Sequence, residues 1–347
     1  MAMKKQLKLN SILASYSSAY DGIGFQATVM LPDWKMINSV AGRADLKKEV
    51  PITFDHHLLI GSITKLFTAA LVMQFVEQGR LALEDTLGKW YDYPYASSVT
   101  VQDLLNQTSG VPDYTQDLRF YARTILLPKV PWQPEQLVEL LDGKSVLFPA
   151  GEKHNYSNSN YLLLGRILEK ITGQSYIVLL REMIFKPLDL KESFILDYPH
   201  DLLVANGYDE TIVNLGRRNT SSYRRSLESG AYSAGAIMST SRDVASFTHA
   251  LFNGELLKKK SLKAMQTFGE AEDIFIESQT GYGLGVRQLK LAGQTLVGHT
   301  GSIPGYSGIS MHHPKKNYTI SILCNLSIID YVSVLEEIQM LALDRLA

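Results

Sequence analysis

Cysteine is almost absent from this chain: one of its 347 residues, Cys324, is a cysteine. An internal disulfide is therefore impossible, and cysteine usage does not indicate whether the protein works in an oxidising or a reducing compartment. Because Cys324 lies in the apolar run ISILCN, we expect a small buried strand residue rather than a reactive thiol.

An excess of one charge is also lacking. The 34 Lys and Arg residues nearly balance the 35 Asp and Glu residues, which gives a net charge of -1 at pH 7. Without a run of one sign, the sequence predicts neither a nucleic-acid partner nor an attachment to an anionic membrane surface. A small molecule or a short peptide, neutral or zwitterionic, is the ligand that this charge balance favours.

Long hydrophobic runs are missing, so no membrane span is predicted. The first residues, MAMKKQLKLNSILASY, carry the positive charges that begin a signal peptide but lack the uninterrupted apolar stretch that should follow. Localisation therefore stays open: cytoplasmic for the sequence as it stands, or extracytoplasmic if a signal was removed before this sequence was recorded. The oligomeric state is equally open.

Metal-binding patterns are missing as well. The sequence contains neither HExxH nor CxxC, and the adjacent pairs His56-His57 and His312-His313 cannot place two imidazoles on one helical face. We predict no metal and no other cofactor.

What the chain does contain is 45% hydrophobic residues, enough for a large core. Residues 63–76, ITKLFTAALVMQFV, are apolar on almost every side and are followed by Gly79 as a stop, which predicts a helix buried in the middle of the protein. Lys65 is the exception within it. An ammonium group in such a helix is costly unless it is paired or useful, so its presence needs a reason.

The pattern of elements predicts an α/β protein of the α+β type. Residues 25–31 and 36–42 read as strands joined by the turn PDWK, and the chain after Ser233 contains four strand-like runs and a final helix from about Tyr331 to Leu346. We predict an antiparallel sheet of five or more strands, flanked by helices and built from residues 1–80 and 230–347. Residues 81–229, with VQDLLNQTSG, QLVELLDG and NYLLLGRILEKITG as helical patches, form a mainly helical insertion.

Three short motifs carry chemistry. In the first, Ser62 and Lys65 stand three residues apart, so their side chains share one helical face with Cβ atoms roughly 5 to 6 Å apart. A desolvated lysine has a lowered pKa and can remove the proton of a serine hydroxyl, and the N-H groups at a helix start can stabilise an oxyanion. About one Ser-x-x-Lys is expected by chance in a chain of this length, so this motif alone is weak.

The second motif is Tyr156-Ser157-Asn158, which offers a phenol for proton exchange and an amide for a substrate carbonyl, although the same residues are ordinary helix caps. The third is Gly298-His299-Thr300-Gly301-Ser302, where small residues admit a ligand beside the backbone and His299 and Thr300 offer donors to a carboxylate. By itself it would be a hairpin turn.

The ordered trio closely resembles the class C beta-lactamase-like serine hydrolases, a family that includes secreted DD-carboxypeptidases, class C beta-lactamases, D-aminopeptidases and related esterases. The resemblance runs from about Phe25 to Asn325. It rests on LLIGSITKLFTAALVMQFVEQGRLALEDTL, LLNQTSGVPDY, GEKHNYSNSNYLLLGRILEKITG, SAGAIMSTSRDVASF, GYGLG and GHTGSIPGYSG. It implies a sheet flanked by helices with an all-helical subdomain, and a site in the cleft between them.

The resemblance also implies roles. Ser62 is the acylated nucleophile, Lys65 and Tyr156 are its acid/base partners in an undetermined order, and Asn158 positions the substrate amide. The backbone N-H groups of Ser62 and Ser302 form the oxyanion hole, next to Thr300 and Gly301.

Two further residues resemble the DD-carboxypeptidases of the family. His299 stands where the beta-lactamases usually have lysine, and Arg287, after the run GYGLG, matches an arginine that can bind a peptide's terminal carboxylate. The alternative for Arg287 is an ordinary exposed strand residue. The sequence departs from the family where Gly230-Ala231-Tyr232 replaces an aromatic residue expected a few positions before Ser233. Asp113, Tyr114 and Phe120 are expected to pack along the cleft.

We therefore expect a penicillin-binding serine hydrolase that acts through an acyl-enzyme on D-alanyl-type peptides, with beta-lactams as covalent ligands. An esterase and a beta-lactamase of the same family are alternatives. A catalytically weak binding or scaffold protein is the alternative from another class, against which the buried Lys65 speaks.

Overall fold

The structure, a computed structural model, describes residues 2–211, 216–271 and 276–346. Its strands are β1 Phe25–Met30, β2 Met36–Ala41, β3 Arg43–Asp45, β4 Val50–Pro51, β5 Leu58–Leu59, β6 Phe194–Ile195, β7 Tyr208–Asp209, β8 Arg218–Asn219, β9 Ile237–Ser239, β10 Gln279–Tyr282, β11 Arg287–Leu291, β12 Gln294–Ile303, β13 Tyr306–His313 and β14 Tyr318–Cys324.

The α-helices are α1 Ala2–Ala19, α2 Thr64–Glu77, α3 Val101–Leu105, α4 Leu118–Leu126, α5 Pro134–Val138, α6 Asn158–Thr172, α7 Tyr176–Leu180, α8 Arg224–Gly235, α9 Ser241–Phe252, α10 Lys259–Met265 and α11 Tyr331–Leu346. Shorter 3-10 turns span Gly61–Ile63, Leu87–Lys89, Tyr114–Gln116, Glu139–Leu141 and Ser221–Tyr223, and a π-helical turn spans Arg181–Phe185.

Seven strands from the two ends of the chain form one antiparallel sheet in the order β10-β11-β12-β13-β14-β1-β2. The chain ends meet where β1 pairs with β14, with Phe25 opposite Cys324. The predicted antiparallel sheet and the predicted fold class are confirmed. Cys324 is buried in β14 as expected, and burial raises the pKa of its thiol to about 12.

The two faces of the sheet follow from the alternation of side chains along a strand. In β1, Phe25, Ala27 and Val29 pack with α1 and α11 in one apolar core. The polar residues between them face α9, where Gln26 accepts a hydrogen bond from the Ser241 backbone N-H at 3.0 Å. The sheet is therefore covered by helices on both faces.

Helix α2 lies at the centre of a second apolar core, on the α9 side of the sheet. Nearly all of its residues are buried, as the sequence predicted, because apolar side chains surround its axis. The sequence also placed the Ser62 motif at the start of this helix, which is corrected, since Gly61–Ile63 form a 3-10 turn that leads into α2.

Two other regions differ from expectation. Residues 2–19 form helix α1, which packs on β2 and α11, although the sequence had indicated only an incomplete signal-like start. The first of the four strand-like runs after Ser233 is GYGLGVRQL, which is divided between β10 and β11, with Gly283 and Gly285 in the connection.

The strands of the seven-stranded sheet come from residues 1–80 and 230–347, whereas α3 to α7 come from residues 81–229. The division into a sheet domain and a helical insertion stays a prediction. In the described ranges no helix has both the length and the apolar character that crossing a membrane requires.

Candidate active site

Four separate parts of the chain meet around the Ser62 hydroxyl. They are the 3-10 turn before α2, the start of α6 with Asn158, the end of α8 with Ala234, and the strand β12. Three of the four contain one of the motifs singled out in the sequence.

The Lys65 amine lies 2.9 Å from the Ser62 hydroxyl oxygen. Lys65 is in the first turn of α2 and Ser62 in the 3-10 turn before it, so the spacing of three residues still places both side chains on one side. Lys65 is fully buried, whereas Ser62 is partly exposed. The hydroxyl is therefore open to a ligand, and the amine behind it is shielded from water.

Two further oxygen atoms hold the same amine. It donates to the Asn158 side-chain Oδ1 and to the Ala234 backbone carbonyl, both at 2.8 Å. Neither atom can donate in return, so two N-H bonds of Lys65 are committed to them. The remaining position of the nitrogen faces Ser62, where it holds a proton in the ammonium form and a lone pair in the neutral form.

Burial lowers the pKa of Lys65 well below 10.5. The charge of Asp113 opposes this effect, and the charge of Arg287 reinforces it. A neutral amine directed at a serine hydroxyl is suited to remove its proton.

Asp113 fixes the orientation of Asn158. Its carboxylate accepts a hydrogen bond from the Asn158 Nδ2 at 2.8 Å, so the amide oxygen is turned towards Lys65. Thr115 donates its backbone N-H and hydroxyl to the other carboxylate oxygen at 2.9 and 2.8 Å. The sequence had favoured a packing role for Asp113; its position before Thr115 is an ordinary turn pattern and gave no other signal.

The ring of Tyr156 lies against the amine, with its centre 4.9 Å from the Lys65 nitrogen. Its hydroxyl is buried and makes no hydrogen bond of ordinary geometry within the described parts of the chain. Burial and the neighbouring Tyr282 raise the pKa of Tyr156, against the lowering effects of Arg287 and Ser62. Tyr156 is therefore a neutral phenol with a proton to donate.

Strand β12 passes close to the 3-10 turn, and this approach requires glycine. A Cβ atom on Gly301 would lie 2.0 Å from the Ile60 carbonyl oxygen, and one on Gly61 would lie 2.9 Å from the Ser302 backbone nitrogen. The backbone of Ser302 thus lies beside the residue that precedes Ser62. The Ser302 side chain points elsewhere, since its hydroxyl donates to the Ser327 carbonyl at 2.9 Å.

His299 is fully buried in β12, and both of its ring nitrogens are engaged within the protein. Its Nδ1 lies 2.5 Å from the Thr300 carbonyl and must donate to it, so Nε2 accepts from the Tyr282 hydroxyl at 3.0 Å. Burial and the nearby charges of Arg287 and Lys65 lower the pKa of His299 well below 6.5. Thr300, the next residue, is also buried.

Arg287 is buried, with 5% of its surface exposed, so the alternative of an ordinary exposed strand arginine is wrong. Its Nη1 donates to the Gln279 side-chain oxygen, and its guanidinium carbon lies 5.0 Å from the centre of the Tyr156 ring. Arg287 thus brings a positive charge against the site, where it lowers the pKa values of Lys65, Tyr156 and His299.

The sequence motifs missed two kinds of partner. The Ala234 carbonyl has no signature in the sequence, because every residue has a backbone carbonyl. Gln279 and Tyr282 lie on β10, and only the pairing of β10 with β11 places them beside Arg287 and His299.

A comparison with protein families matches residues 9–333 to the beta-lactamase family. The chain is 28% identical over 302 residues to penicillin-binding protein 4* of Bacillus subtilis, and this match covers 82% of this chain and 64% of the relative. It is 29% identical over 305 residues to a D-aminopeptidase of Brucella anthropi, which covers 86% of this chain and 55% of the relative. The chain therefore spans between about half and two thirds of the length of these relatives.

Among solved structures, a D-amino acid amidase from Ochrobactrum anthropi SV3, in complex with L-phenylalanine amide, superimposes with a TM-score of 0.88. It is 26% identical to this chain, and the match covers 99% of both chains.

Proposed function

Because the chain belongs to the beta-lactamase family, we propose that it is a serine hydrolase that cleaves an amide bond next to a D-amino acid residue. The observation that carries the proposal is the 2.9 Å contact between the Lys65 amine and the Ser62 hydroxyl, at an amine whose other two hydrogen bonds are fixed. The relatives named as a D-aminopeptidase and a D-amino acid amidase support the substrate class.

In the proposed cycle, the neutral Lys65 amine takes the Ser62 proton while the hydroxyl oxygen attacks the substrate carbonyl carbon. The oxyanion of the tetrahedral intermediate accepts hydrogen bonds from the backbone N-H groups of Ser62 and Ser302. The carbon-nitrogen bond then breaks, and the leaving nitrogen takes a proton from the Tyr156 phenol. The Lys65 ammonium group then returns a proton to Tyr156. A water molecule then attacks the carbonyl carbon of the acyl-enzyme. The same proton transfers run in reverse order, which releases the acid and returns a proton to Ser62.

Other residues support this reaction without exchanging protons. Asn158, held by Asp113, offers its amide to the substrate as well as to Lys65. We assign His299 a positioning part: with both nitrogens engaged, it holds Tyr282 and β12 in place. Thr300 and Gly301 form the strand edge beside which the substrate backbone lies.

Two substrates fit this chemistry and differ at their ends. The first is a peptide ending in D-Ala-D-Ala, for which the buried Arg287 supplies a cation to the terminal carboxylate. The second is the amide of a D-amino acid, or a peptide whose N-terminal residue is a D-amino acid. The likeness to the amidase over 99% of both chains favours this second substrate.

The test is covalent labelling with a fluorescent penicillin and with a fluorophosphonate probe, followed by mass spectrometry of the labelled peptide. We expect one adduct on Ser62, absent from Ser62→Ala. No labelling by either reagent would overturn the proposal and favour the binding or scaffold protein.

Substrate assays then separate the enzymes of this family. We expect D-alanine to be released from a D-Ala-D-Ala peptide or ammonia from a D-amino acid amide, with the L-enantiomers turned over far more slowly. Brisk hydrolysis of short acyl esters alone would replace this proposal with an esterase. Rapid release of the penicillin adduct would identify a beta-lactamase, whereas slow release means inhibition.

Variants of Arg287 decide between the two D-substrates. If the carboxypeptidase proposal holds, Arg287→Leu lowers kcat/KM for the carboxylate substrate far more than for the same peptide with an amidated end. An equal loss of kcat/KM on both substrates would show that Arg287 does not bind the terminal carboxylate.

A further inference from the structure

Tyr232 has a backbone conformation that bulky residues rarely adopt. It lies inside α8, yet its φ of 39° and ψ of -129° interrupt the helix there. Such a conformation costs free energy in any residue that has a Cβ atom, so the surrounding structure must hold it. Its ring is buried.

The interruption turns the next two carbonyl groups towards helix α2. The Ser233 carbonyl accepts from the Thr68 hydroxyl at 2.7 Å, and the Ala234 carbonyl accepts from the Lys65 amine at 2.8 Å. In an uninterrupted helix both carbonyls would point along the axis towards the following turn. The third partner of Lys65 is therefore a carbonyl that follows directly after the interruption at Tyr232.

The side chain of Tyr232 is anchored on Glu169 of helix α6. Its hydroxyl donates to the Glu169 Oε1 at 2.6 Å, and the same oxygen accepts from the Tyr176 backbone N-H at 2.7 Å. The other oxygen of Glu169 pairs with Arg166. Glu169 is therefore held by partners of its own.

A second path returns from Tyr176 to α2. The Tyr176 hydroxyl lies 2.6 Å from the Thr68 hydroxyl, and its ring packs against Tyr232 with centres 5.5 Å apart. Since Thr68 has one proton and gives it to the Ser233 carbonyl, Tyr176 is the donor of the pair. Glu169, Tyr232, Ser233, Thr68 and Tyr176 form a closed ring of contacts beside Lys65.

We propose that Glu169 and Tyr232 are positioning residues, which hold the interrupted end of α8 so that the Ala234 carbonyl stays directed at the Lys65 amine. The proposal rests on the proposed serine hydrolase function and names the part of the site that orients its base. Neither residue is among the hydrogen-bond partners of the Lys65 amine. Their effect passes through one backbone carbonyl.

The test compares Tyr232→Phe and Glu169→Gln with the wild type. Tyr232→Phe removes only the anchoring hydroxyl, whereas Glu169→Gln keeps a weaker, neutral acceptor. We expect acylation by a penicillin or fluorophosphonate probe to slow by about tenfold or more in Tyr232→Phe and by less in Glu169→Gln. Because a carbonyl acceptor favours the ammonium form, its loss also moves the low-pH limb of the rate profile to lower pH.

The matched control is Tyr318→Phe, which removes another buried phenol hydroxyl, on β14 and away from α2. It should leave both the rate and its pH profile unchanged. If Tyr232→Phe does not fold, Glu169→Gln carries the same test.

The outcomes are separable. A wild type that is labelled on Ser62, with variants that melt at a lower temperature but keep its rate and pH profile, would overturn the positioning role alone. A wild type that is never labelled would overturn the proposed function and the positioning role with it.

Discussion

The Lys65 amine meets three oxygen atoms, and only the one on Ser62 belongs to a group that can give up a proton. Of these three groups, the amine can therefore take a proton only from Ser62. The amide of Asn158 and the carbonyl of Ala234 orient the nitrogen, and burial disfavours its charged form. Lys65 is expected to act as the base and Tyr156, whose pKa is raised, as the acid.

At the residue scale, Asp113→Asn tests this assignment. The neutral amide can still accept from Asn158, but it removes a negative charge that raises the pKa of Lys65. The pKa of Lys65 should fall further. Since the neutral amine is the active form and is lost as pH falls through this pKa, the low-pH limb of kcat/KM should move to lower pH.

The measurement is the pH profile of probe acylation. Asp117→Asn is the control, because Asp117 lies on the same connection but is not among the charges that act on Lys65. A limb that stays in place or moves to higher pH in Asp113→Asn would argue against Lys65 as the base.

Between elements, β12 comes close to the 3-10 turn Gly61–Ile63. Gly301→Ala would place a methyl group 2.0 Å from the Ile60 carbonyl, so the two segments must separate. A shift of about 1 Å in a reacting geometry costs on the order of 100-fold in rate, and we expect a loss of at least that size in acylation.

Gly269→Ala is the matched control, since nothing lies within 4 Å of its added methyl group. The rate of acylation and the melting temperature should be measured for both variants. Normal acylation in Gly301→Ala would mean that the two backbone N-H groups do not act together.

Helix α9 meets the sheet through two buried histidines. His249 on α9 and His312 on β13 both place Nδ1 against the Thr319 hydroxyl, at 3.1 and 3.0 Å. Burial lowers the pKa of His249 to about 4 and that of His312 to about 3, from 6.5. The folded protein keeps both rings neutral over a pH range in which the unfolded chain binds protons.

The sign of the pH dependence follows from linkage. Both contributions to stability are present above pH 6.5 and are lost as pH falls towards about 4 for His249 and about 3 for His312. Each adds at most ~1.4 kcal/mol per pH unit to the slope of the unfolding free energy. His249→Phe should therefore reduce this slope, as measured by urea unfolding between pH 4.5 and 7.

At the scale of the whole molecule, the sheet separates two apolar cores. One surrounds α2 and supports the site, and the other joins α1 and α11 to the opposite face. The contacts that hold the reactive residues lie on the α2 side. Substitutions in the core around α1 and α11 should therefore lower the free energy of unfolding without changing the rate of acylation.

Leu13→Ala makes this test. Leu13 is a fully buried residue of α1 in the far core, and its truncation should cost about 2 to 5 kcal/mol of unfolding free energy. Acylation at a temperature well below the melting transition should match the wild type. Leu7→Ala, on the same helix but exposed, should change neither quantity. Slower acylation in Leu13→Ala would show that the two cores are coupled.

The sequence by itself determined the buried helix, the antiparallel sheet and the reactive pair. The apolar run after Ser62 predicted a buried helix, and the spacing of three residues predicted the contact of Ser62 with Lys65, because both depend on residues close together in the chain. The alternating runs after Ser233 predicted an antiparallel sheet for the same reason. The 3-10 turn at Gly61–Ile63, which lies against β12, escaped prediction.

Tertiary structure alone decided which distant groups surround that pair. Asp113, Ala234 and Gln279 lie far from Lys65 in the sequence, and one of them acts through a backbone carbonyl that every residue possesses. Burial of Arg287 and the closed hydrogen bonds of His299 likewise depend on which strands lie together. A pKa is set by burial and by charges across the fold, so the sequence could name the reactive groups but not their protonation.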